Sequence, residues 1–592
     1  MKFPMVYIHN WKNEDKYEVY VGESNDIFQR TKQHYGEMKN ESEWQHNLLD
    51  RKADLYVIGH EHFNKSMTMD IETKLIHYLT SVESVVKVHN GRDNPQDRYY
   101  PVEELDSIFT KIWKGLRNKE KDHKEIFPLE SSIRDSAIFK ASPLHKLTEE
   151  QKDAKEKILD RIDSALKNDK RGQLIFIEGE AGTGKTVLNS STFYELFCKY
   201  EEASREDSEN SKYQTTNCFL LVNHDEQITV YRQIFDKLGI IDKYGQVVEK
   251  PTTFINNHTI ENPVDVVFVD EAHLLLTQGK QSYRGKNQLK DIIDRAKVVV
   301  VMFDEDQILT TEQYWEYDKI KEYKNKARKN DNYIMLKNQL RMHASKETID
   351  WINSFTKDGI IKDIPRNLGG YDIKIFDNPK LLDKEIKNKA SKDKSRLSRI
   401  IATYDWQYIQ GNHKECPTKY WEVKIEDDDS CWHKPWNREL EKDLDRKQKR
   451  SIKNLAWAEQ PQTINEVGST YTIQGFDLNY AGLIIGPSVK YRGGHIIFDP
   501  EASKNEKATR NRTLSDGTHK KFGEELLKHE LRVLMTRGVN GLYIYACDEK
   551  LRKQLKNCMK DSFEYKIDED ENVDVVLKIA ENGLKDSEEY RC

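Results

Sequence analysis

A glycine-rich loop directly after a short apolar run constrains this chain more than any other feature. Residues 174–177 (LIFI) are typical of a strand buried on both faces, and residues 179–186 (GEAGTGKT) follow at once, ahead of a helix-compatible VLNSS. In the order strand, loop, helix, backbone N–H groups can wrap phosphates at a helix N-terminus. Gly179, Gly182 and Gly184 are the glycines that permit this wrapping. The sequence therefore predicts a nucleoside triphosphate site in a parallel α/β sheet.

The two residues that close the loop carry the expected ligand chemistry. Lys185 is expected to reach the β and γ phosphates as a point charge, and the Thr186 hydroxyl is expected to ligate Mg²⁺. ATP and Mg²⁺ are therefore the predicted cofactors.

Two further buried strands deliver polar groups to the same edge of the predicted sheet. Residues 264–269 (VDVVFV) run into Asp270, a second predicted Mg²⁺ ligand, and Glu271, predicted to polarise the attacking water. The alternative for this pair is a surface acidic patch, which the P-loop upstream disfavours. Residues 298–303 lead to Gln307, a predicted sensor of the γ-phosphate at the carboxyl end of its strand.

The length of 592 residues predicts two or three independently cored units. We expect an α/β chain in which a small mixed domain precedes two parallel-sheet cores, since strand-like and helical runs alternate twice. Charged stretches near 423–453 and 501–522 are interpreted as insertions or loops of the second core. The predicted units are residues 1–110, a charged linker 111–144, cores 145–345 and 346–560, and a tail 561–592.

Bulk properties exclude several classes of protein. The seven cysteines include no CxxC pair, which argues against a zinc site or a disulfide framework. No run has the length of a membrane helix and the N-terminus lacks a signal-peptide pattern, so a cytoplasmic protein with no membrane partner is expected. Because the net charge is −6, any contact with nucleic acid has to come from local basic patches.

The motifs together resemble superfamily 1 helicases, and more closely the Schlafen-type DNA/RNA helicase domain, over residues 145–550. The matching segments are LTEEQ at 147–151, the P-loop, DEAH at 270–273, DEDQ at 304–307, QLR at 339–341, STYTIQGFD at 469–477 and LRVLMTR at 531–537. The resemblance implies that Gln151 contacts the base and that Arg341 and Arg537 reach the γ-phosphate as arginine fingers. Without it, a surface salt bridge is an equal alternative for each arginine. The resemblance implies that the two parallel-sheet cores are RecA-like. The implied activity is nucleic-acid-stimulated ATP hydrolysis that drives movement along a strand.

The first hundred residues hold a second set of chemically capable side chains. Arg30 and His34 are four residues apart on a predicted helix and so share one face. Phosphodiester cleavage needs a metal ligand, a cation and a base, and Glu72, Arg30 and Tyr7 suit these roles, with His34 or Tyr20 as proton relay. Taken alone, the residues are ordinary strand aromatics and surface charges. The set is Tyr7, Tyr20, Arg30, His34, Glu72 and Asn90.

With order and spacing included, residues 5–95 resemble a GIY-YIG endonuclease domain. The two motifs are MVY, ending in Tyr7, and YVG, beginning at Tyr20. Met5 departs from the glycine usual in the first motif, which bears on backbone geometry rather than on the catalytic side chains. The resemblance implies an Mg²⁺-dependent endonuclease with Glu72 as metal ligand.

Two hypotheses from different classes follow. In the first, a nuclease–helicase binds nucleic acid, with DNA favoured, translocates with ATP and cleaves, in anti-phage defence or in DNA repair. In the second, the ATPase is a nucleotide-sensing switch and the N-terminal domain is a non-catalytic binding module. Complete sets of candidate residues favour the enzyme. A homo-oligomer is left open, because one nuclease site cuts two strands only with a second copy or by two sequential nicks.

Overall fold

The computed structural model contains three main sheets in chain order. The structure describes residues 3–35, 53–90, 99–119, 125–206, 217–279, 283–365, 370–392, 397–409, 416, 418–427, 430–453 and 455–559. The predicted tail therefore lies outside the described residues. No helix in these ranges is both long and apolar enough to cross a bilayer.

The N-terminal domain is a four-stranded sheet covered by one long helix. Its strands lie in the order β3-β1-β2-β4, with β1 antiparallel to β2 and β3, and β4 parallel to β2. Asn64 begins α2 by accepting a hydrogen bond at Oδ1 from the Met67 backbone N–H, 2.9 Å away. The elements are β1 (Met5–Asn13), β2 (Lys16–Ser24), α1 (Ile27–Tyr35), β3 (Asp54–Ile58), α2 (Lys65–Thr80) and β4 (Val85–Val88).

Three helices fill the connection to the first core: α3 (Leu105–Lys119), α4 (Glu130–Asp135) and α5 (Ala137–Ala141). They pack on α2, and a single buried apolar cluster continues from the N-terminal domain through this connection into the first core. Lys237 of the first core donates to the backbone oxygens of Thr80 at 3.0 Å and Val82 at 2.8 Å. The N-terminal domain is thus attached to the first core by apolar packing and by the buried amino group of Lys237 at the end of α2.

The first core is a six-stranded, fully parallel sheet in the order β10-β5-β9-β8-β6-β7. Its central strands are continuous valine-rich runs because helices cover both faces of the sheet. Its strands are β5 (Gln173–Gly179), β6 (Cys218–Leu221), β7 (Val248–Glu249), β8 (Val264–Val269), β9 (Ala296–Phe303) and β10 (Tyr333–Leu336). Its helices are α6 (Glu149–Lys167), α7 (Lys185–Glu206), α8 (Asp225–Lys237), α9 (Ile240–Tyr244), α10 (Pro251–Asn257), α11 (Gln288–Ile293) and α12 (Tyr317–Lys329).

The second core is a five-stranded parallel sheet in the order β11-β21-β16-β12-β15. The predicted fold class, a small mixed domain followed by two parallel RecA-like cores, is confirmed. The sheet strands are β11 (Asp372–Ile375), β12 (Ser398–Ala402), β15 (Val467–Gly468), β16 (Leu478–Ile485) and β21 (Gly538–Ala546). The helices are α13 (Lys346–Asn353), α14 (Pro379–Lys392), α15 (Arg446–Ile452), α16 (Thr470–Ile473), α17 (Glu506–Thr509), α18 (Gly523–Met535) and α19 (Glu549–Asn557).

The second core carries three two-stranded hairpins among the described residues, and two of them lie in the charged stretches. The three two-stranded hairpins are β13 (Glu422–Asp427) with β14 (Ser430–Pro435), β17 (Val489–Arg492) with β18 (His495–Phe498), and β19 (Arg512–Thr513) with β20 (His519–Lys520). The stretch before α18 lies on the first core: Thr311 N–H donates to Lys507 O at 2.9 Å, and the Tyr314 and Phe522 rings stack 3.9 Å apart. This stretch therefore joins the second core to the first core.

Candidate functional site

The P-loop links β5 to α7 at the carboxyl edge of the first sheet. Lys185 Nζ donates to Gly179 O at 2.6 Å and Glu180 O at 2.9 Å, so the lysine is folded onto its own loop. Gly184 has φ +76°, and a Cβ there would come within 2.1 Å of Gln151 Nε2. The loop therefore needs glycine at this position both for its backbone conformation and for the approach of Gln151.

Gln151 joins the start of α6 to the P-loop. Its Oε1 accepts a hydrogen bond from Thr148 N–H at 3.0 Å in a capping box, while its Nε2 donates to Thr183 O at 3.3 Å. Gln151 is only 3% exposed, so its amide is fixed at the mouth of the loop.

Asp270 and Glu271 lie beside the P-loop at the end of β8. Tyr231 donates to Asp270 Oδ2 at 2.6 Å, and burial together with the neighbouring charge of Glu271 raises the pKa of Asp270. Burial opposes ionisation of Glu271, but interactions with His273 and with the cations Lys185 and Arg537 outweigh it and lower the pKa of Glu271. Glu271 is therefore the ionised member of the pair in this state, as a group that polarises water has to be.

The two predicted arginines both lie where the first and second cores meet. Arg537 is fully buried and donates from Nη2 to Gln307 Oε1 at 3.3 Å. Gln307 in turn donates from Nε2 to Asp304 Oδ2 at 2.7 Å. Arg341, which follows the first core, lies with Nε 2.7 Å from Asp477 Oδ1 of the second core. The predicted γ-phosphate sensor thus stands between the P-loop and an arginine of the opposite core.

Sequence reasoning missed two side chains of this cleft. Asp304 Oδ2 lies 3.3 Å from Lys185 Nζ, and that cation lowers the pKa of Asp304 against the opposing effect of burial. Gln227 on α8 donates from Nε2 to Glu271 Oε1 at 3.4 Å. The same Nε2 is close to Gly475, since a Cβ added there would lie 2.9 Å from it. Asp304 begins a motif quoted from the sequence and could have been found there, whereas a glutamine on an amphipathic helix gives no signal.

A cleft of about 490 Å³ beside the P-loop fits the predicted cofactors, and it is lined by Gln151, Lys185, Glu271, Gln307 and Arg341. The buried Nη1 of Arg341 has no hydrogen-bond partner in the described part of the chain, although it lines the cleft, and an anionic phosphate would supply one. Thr186 lines the cleft too, and Asp270 lies beside it. No group of three or more His, Cys, Asp or Glu that could hold a metal occurs among the described residues. Mg²⁺ takes one or two protein ligands together with substrate phosphates and water, and the Thr186 hydroxyl and the Asp270 carboxylate are oxygen donors of that kind.

The connection between the N-terminal domain and the first core forms another wall of the cleft. Arg134, Ala137, Lys140 and His145 line it. In the same connection, Phe139 stacks on His77 of α2, with ring centroids 3.9 Å apart and ring planes 6° apart. The predicted linker 111–144 is thus placed between the cleft and the N-terminal domain.

The N-terminal site is built around one face of β1 and β2. Tyr7 and Tyr20 stack with centroids 6.1 Å apart, and Arg30 Nε donates to Tyr7 Oη at 3.4 Å. A Cβ on Gly22 would lie 2.4 Å from Tyr7 Oη, so the glycine of the YVG motif makes room for the first tyrosine. Burial and then the neighbouring Tyr20 raise the pKa of Tyr7. Tyr7 is therefore a neutral phenol at neutral pH, which suits the relay of a proton rather than the role of base expected from the sequence.

Glu72 and Asn90 meet at the edge of this cluster. Asn90 Nδ2 donates to Glu72 Oε1 and to Val21 O, each at 2.8 Å. Because Val21 lies between Tyr20 and Gly22, this bond holds the carboxylate of α2 next to the two tyrosines. The predicted residue His34 belongs to α1, but its side chain lies outside the described residues.

A buried pair beside this cluster was not anticipated. His89 Nε2 and Glu18 Oε2 are 2.6 Å apart, both nearly buried, and Trp11 packs on the His89 ring at 5.1 Å. Hydrogen bonding to His89 is the main effect that lowers the pKa of Glu18. Alternation along the two strands was the available signal, because Trp11 and Glu18 face each other on the tyrosine side of the sheet.

Comparison with known proteins gives one family match, one relative and two similar solved structures. The model of the family described as Schlafen group 3, DNA/RNA helicase domain, matches residues 172–548. The chain is similar to an uncharacterized protein of Saccharomyces cerevisiae, 33% identical over 441 residues, which are 69% of this chain and 90% of that protein. It also resembles, at 12% identity, the crystal structure of Pif1 helicase from Candida albicans, with 70% of this chain and 99% of that one covered and a TM-score of 0.27. A structure of two coordinating Pif1 helicases at forked double-stranded DNA matches at 12% identity over 69% of this chain and 94% of that one, with a TM-score of 0.24.

Proposed function

This chain belongs to the Schlafen group 3 DNA/RNA helicase domain family, and from that premise we propose that it hydrolyses ATP to move along a nucleic acid, with DNA as the favoured substrate. The observation that carries the proposal is the convergence on one cleft of a P-loop lysine, an acidic pair and two arginines. Lys185 and Glu271 come from the first core, whereas Arg537 comes from the second. An active site divided between two cores can translate hydrolysis into relative movement.

In this mechanism each side chain has one task. Gln151 reads the base, the loop N–H groups with Lys185 hold the phosphates, and Glu271 orients and deprotonates the attacking water. Thr186 and Asp270 would hold Mg²⁺, which would supply positive charge to the phosphates. Arg341 and Arg537 stabilise charge that develops during transfer. Gln307 transmits the state of the cleft because it already bonds Asp304 and Arg537.

Movement follows from exchange of partners in the cleft. Lys185 and Arg341 are held here by the loop carbonyl oxygens and by Asp477, and phosphate binding exchanges these partners for a ligand. Gln474 Nε2 donates to Gln307 O at 3.4 Å, so the segment that resembles a strand-binding motif touches the sensor directly. Closure of the cores over ATP and their opening after hydrolysis then shift the strand.

We further propose that the N-terminal domain is an Mg²⁺-dependent endonuclease. Its support is the arrangement of Tyr7, Tyr20, Arg30 and the Glu72–Asn90 pair around the YVG glycine. Glu72 would hold the metal, Arg30 would stabilise the phosphate charge, and Tyr7 would relay the proton. The cytoplasmic setting of the combined nuclease–helicase would be anti-phage defence, with DNA repair as the alternative.

The competing proposal is a nucleotide-sensing switch whose N-terminal domain only binds. It draws on the same contact between the connection and α2, since Phe139 stacks on His77. Cleavage of nucleic acid distinguishes the two proposals. An endonuclease needs the Glu72 carboxylate to hold its metal ion, whereas a binding module does not.

Incubation of the full chain with plasmid DNA and Mg²⁺, with and without ATP, tests the nuclease. Glu72→Gln keeps an oxygen for Asn90 Nδ2 and removes the charge, so it should abolish nicking and leave ATP turnover intact. Glu61→Ala, an exposed carboxylate of the same domain, should cut like the wild type. Equal cleavage by the wild type and Glu72→Gln would remove the nuclease assignment, and no cleavage by any form would favour the switch.

A further inference from the structure

A short helix of the second core carries an unusual stripe of positive charge. The helix α15 begins after Asp445, whose Oδ1 accepts from Gln448 N–H at 2.8 Å while Gln448 Oε1 accepts from Asp445 N–H at 2.9 Å. This capping box fixes the helix start, and the buried Ile452 anchors its end. Four exposed cations, the cationic stripe, are spaced i, i+3, i+4 and i+7 and so share one face: Arg446, Lys449, Arg450 and Lys453.

The stripe is not neutralised by its surroundings. None of its four cations has an ion-pair partner among the residues that the structure describes. Just upstream the pattern is different, since Lys419 lies 2.8 Å from Asp443 and Lys442 lies 2.5 Å from Glu439. Each like-charge pair three or four residues apart opposes the helix by about 0.2–0.5 kcal/mol, and the stripe contains several such pairs. An anion along this face would remove that repulsion.

The chain just before α15 is attached to the strand-motif region. Ser469 donates from Oγ to Asn437 Oδ1 at 2.8 Å, and Leu440 N–H donates to Glu466 Oε1 at 2.8 Å. The exposed ring of Tyr471, 44% accessible, stands in that same motif region. The α15 segment therefore belongs to the side of the second core that presents residues 469–477.

We propose that the cationic stripe binds the phosphate backbone of the nucleic-acid strand on which the two cores move. The inference rests on the proposed helicase function. It identifies a surface that lies outside the motifs by which this chain resembles helicases. Seven residues of helix span about 10 Å, which matches roughly three phosphates of one strand. Because the chain as a whole is negative, with a net charge of −6, a local stripe is where binding energy from phosphates has to arise.

The test is binding of a fluorescein-labelled single-stranded oligonucleotide of about 20 nucleotides, in DNA and RNA forms, to the full chain at several salt concentrations. The variant Lys449→Gln/Arg450→Gln/Lys453→Gln removes three stripe cations. Its matched control is Lys319→Gln/Lys326→Gln/Lys329→Gln on α12, a mixed-charge exposed helix of the first core. ATP turnover without nucleic acid should stay at the wild-type level in both, since neither set lines the cleft.

We expect the stripe variant to lower the slope of log affinity against log salt by about 2, three cations at about 0.7 each, and to weaken binding at least about tenfold. Its melting temperature should not fall, because the substitution removes repulsion. An unchanged slope, or a loss equal to that of the α12 control, overturns the inference. If the stripe variant still binds the oligonucleotide like the wild type but no longer binds phosphatidylserine vesicles that the wild type binds, the stripe is a membrane-binding surface instead. If the wild type binds neither oligonucleotide, it is the proposed function that fails.

Discussion

Arg341 Nε lies 2.7 Å from Asp477 Oδ1, and this contact closes the nucleotide cleft from the side of the second core. Arg341 is fixed to the P-loop as well, because the neighbouring Leu340 N–H donates to Gly182 O at 2.7 Å. If Arg341 acts as the proposed arginine finger, its Nε has to release the Asp477 carboxylate before the whole guanidinium can turn to a phosphate. Asp477 therefore competes with the nucleotide for Arg341.

Asp477→Asn should strengthen nucleotide binding. Without the carboxylate, Arg341 is free for phosphate, so the KM for ATP should fall severalfold while kcat changes little. Arg341→Ala should instead lower kcat by about 10³. Steady-state ATP turnover measures both; a raised KM in Asp477→Asn, or an unchanged kcat in Arg341→Ala, would contradict this account of the pair.

Gly475→Ala should uncouple the strand motif from catalysis. Gly475 has φ +87°, and an added Cβ would lie 2.9 Å from Gln227 Nε2, the atom that contacts Glu271. Strain of about 1–3 kcal/mol corresponds to a loss of roughly tenfold or more in nucleic-acid-stimulated turnover. Gly494→Ala is the matched control, because Gly494 also has φ +87° but no atom lies within 4 Å of the added Cβ. Equal losses in both variants would mean that backbone strain alone matters.

Glu530→Gln should change how stability depends on pH. Burial, and then the charge of Asp405, raises the pKa of Glu530 to about 8, from 4.5 in the unfolded chain. A raised carboxyl pKa contributes stability below the unfolded value, and that contribution is lost as pH rises through about 8. In the wild type, Tyr404 N–H donates a hydrogen bond to Glu530 Oε1 at 2.6 Å. Glutamine does not titrate, and its side-chain oxygen can still accept this bond.

Melting temperatures at pH 6 and pH 8.5, compared at one scan rate, measure the effect. The difference between variant and wild type should move in favour of Glu530→Gln at the higher pH. Glu524→Gln, an exposed carboxylate on the same helix, should show no such trend. A parallel pH dependence of Glu530→Gln and the wild type would mean that Glu530 is ionised when folded.

The two parallel sheets were predictable because their strands are short apolar runs that end in polar motifs. The run before Gly179 and the run before Asp270 both end at the carboxyl edge of the first sheet, so their grouping followed from topology. The stripe on α15 was not predicted, since a charged stretch gives no apolar period. Gln227 and Phe139 were missed for a different reason: their partners are distant in sequence, and only the packed chain brings them together.

ATP turnover by the full chain, with and without single-stranded nucleic acid, tests the central claim most directly when the wild type is compared with Lys185→Ala. Lys155→Ala is the control, since Lys155 donates to Ser191 Oγ at 2.9 Å on the same core and does not line the cleft. The account predicts turnover that nucleic acid stimulates, a fall of about 10²–10³ in Lys185→Ala and little change in Lys155→Ala. Turnover in Lys185→Ala within a few-fold of the wild type would contradict the assignment of the P-loop as the site of hydrolysis.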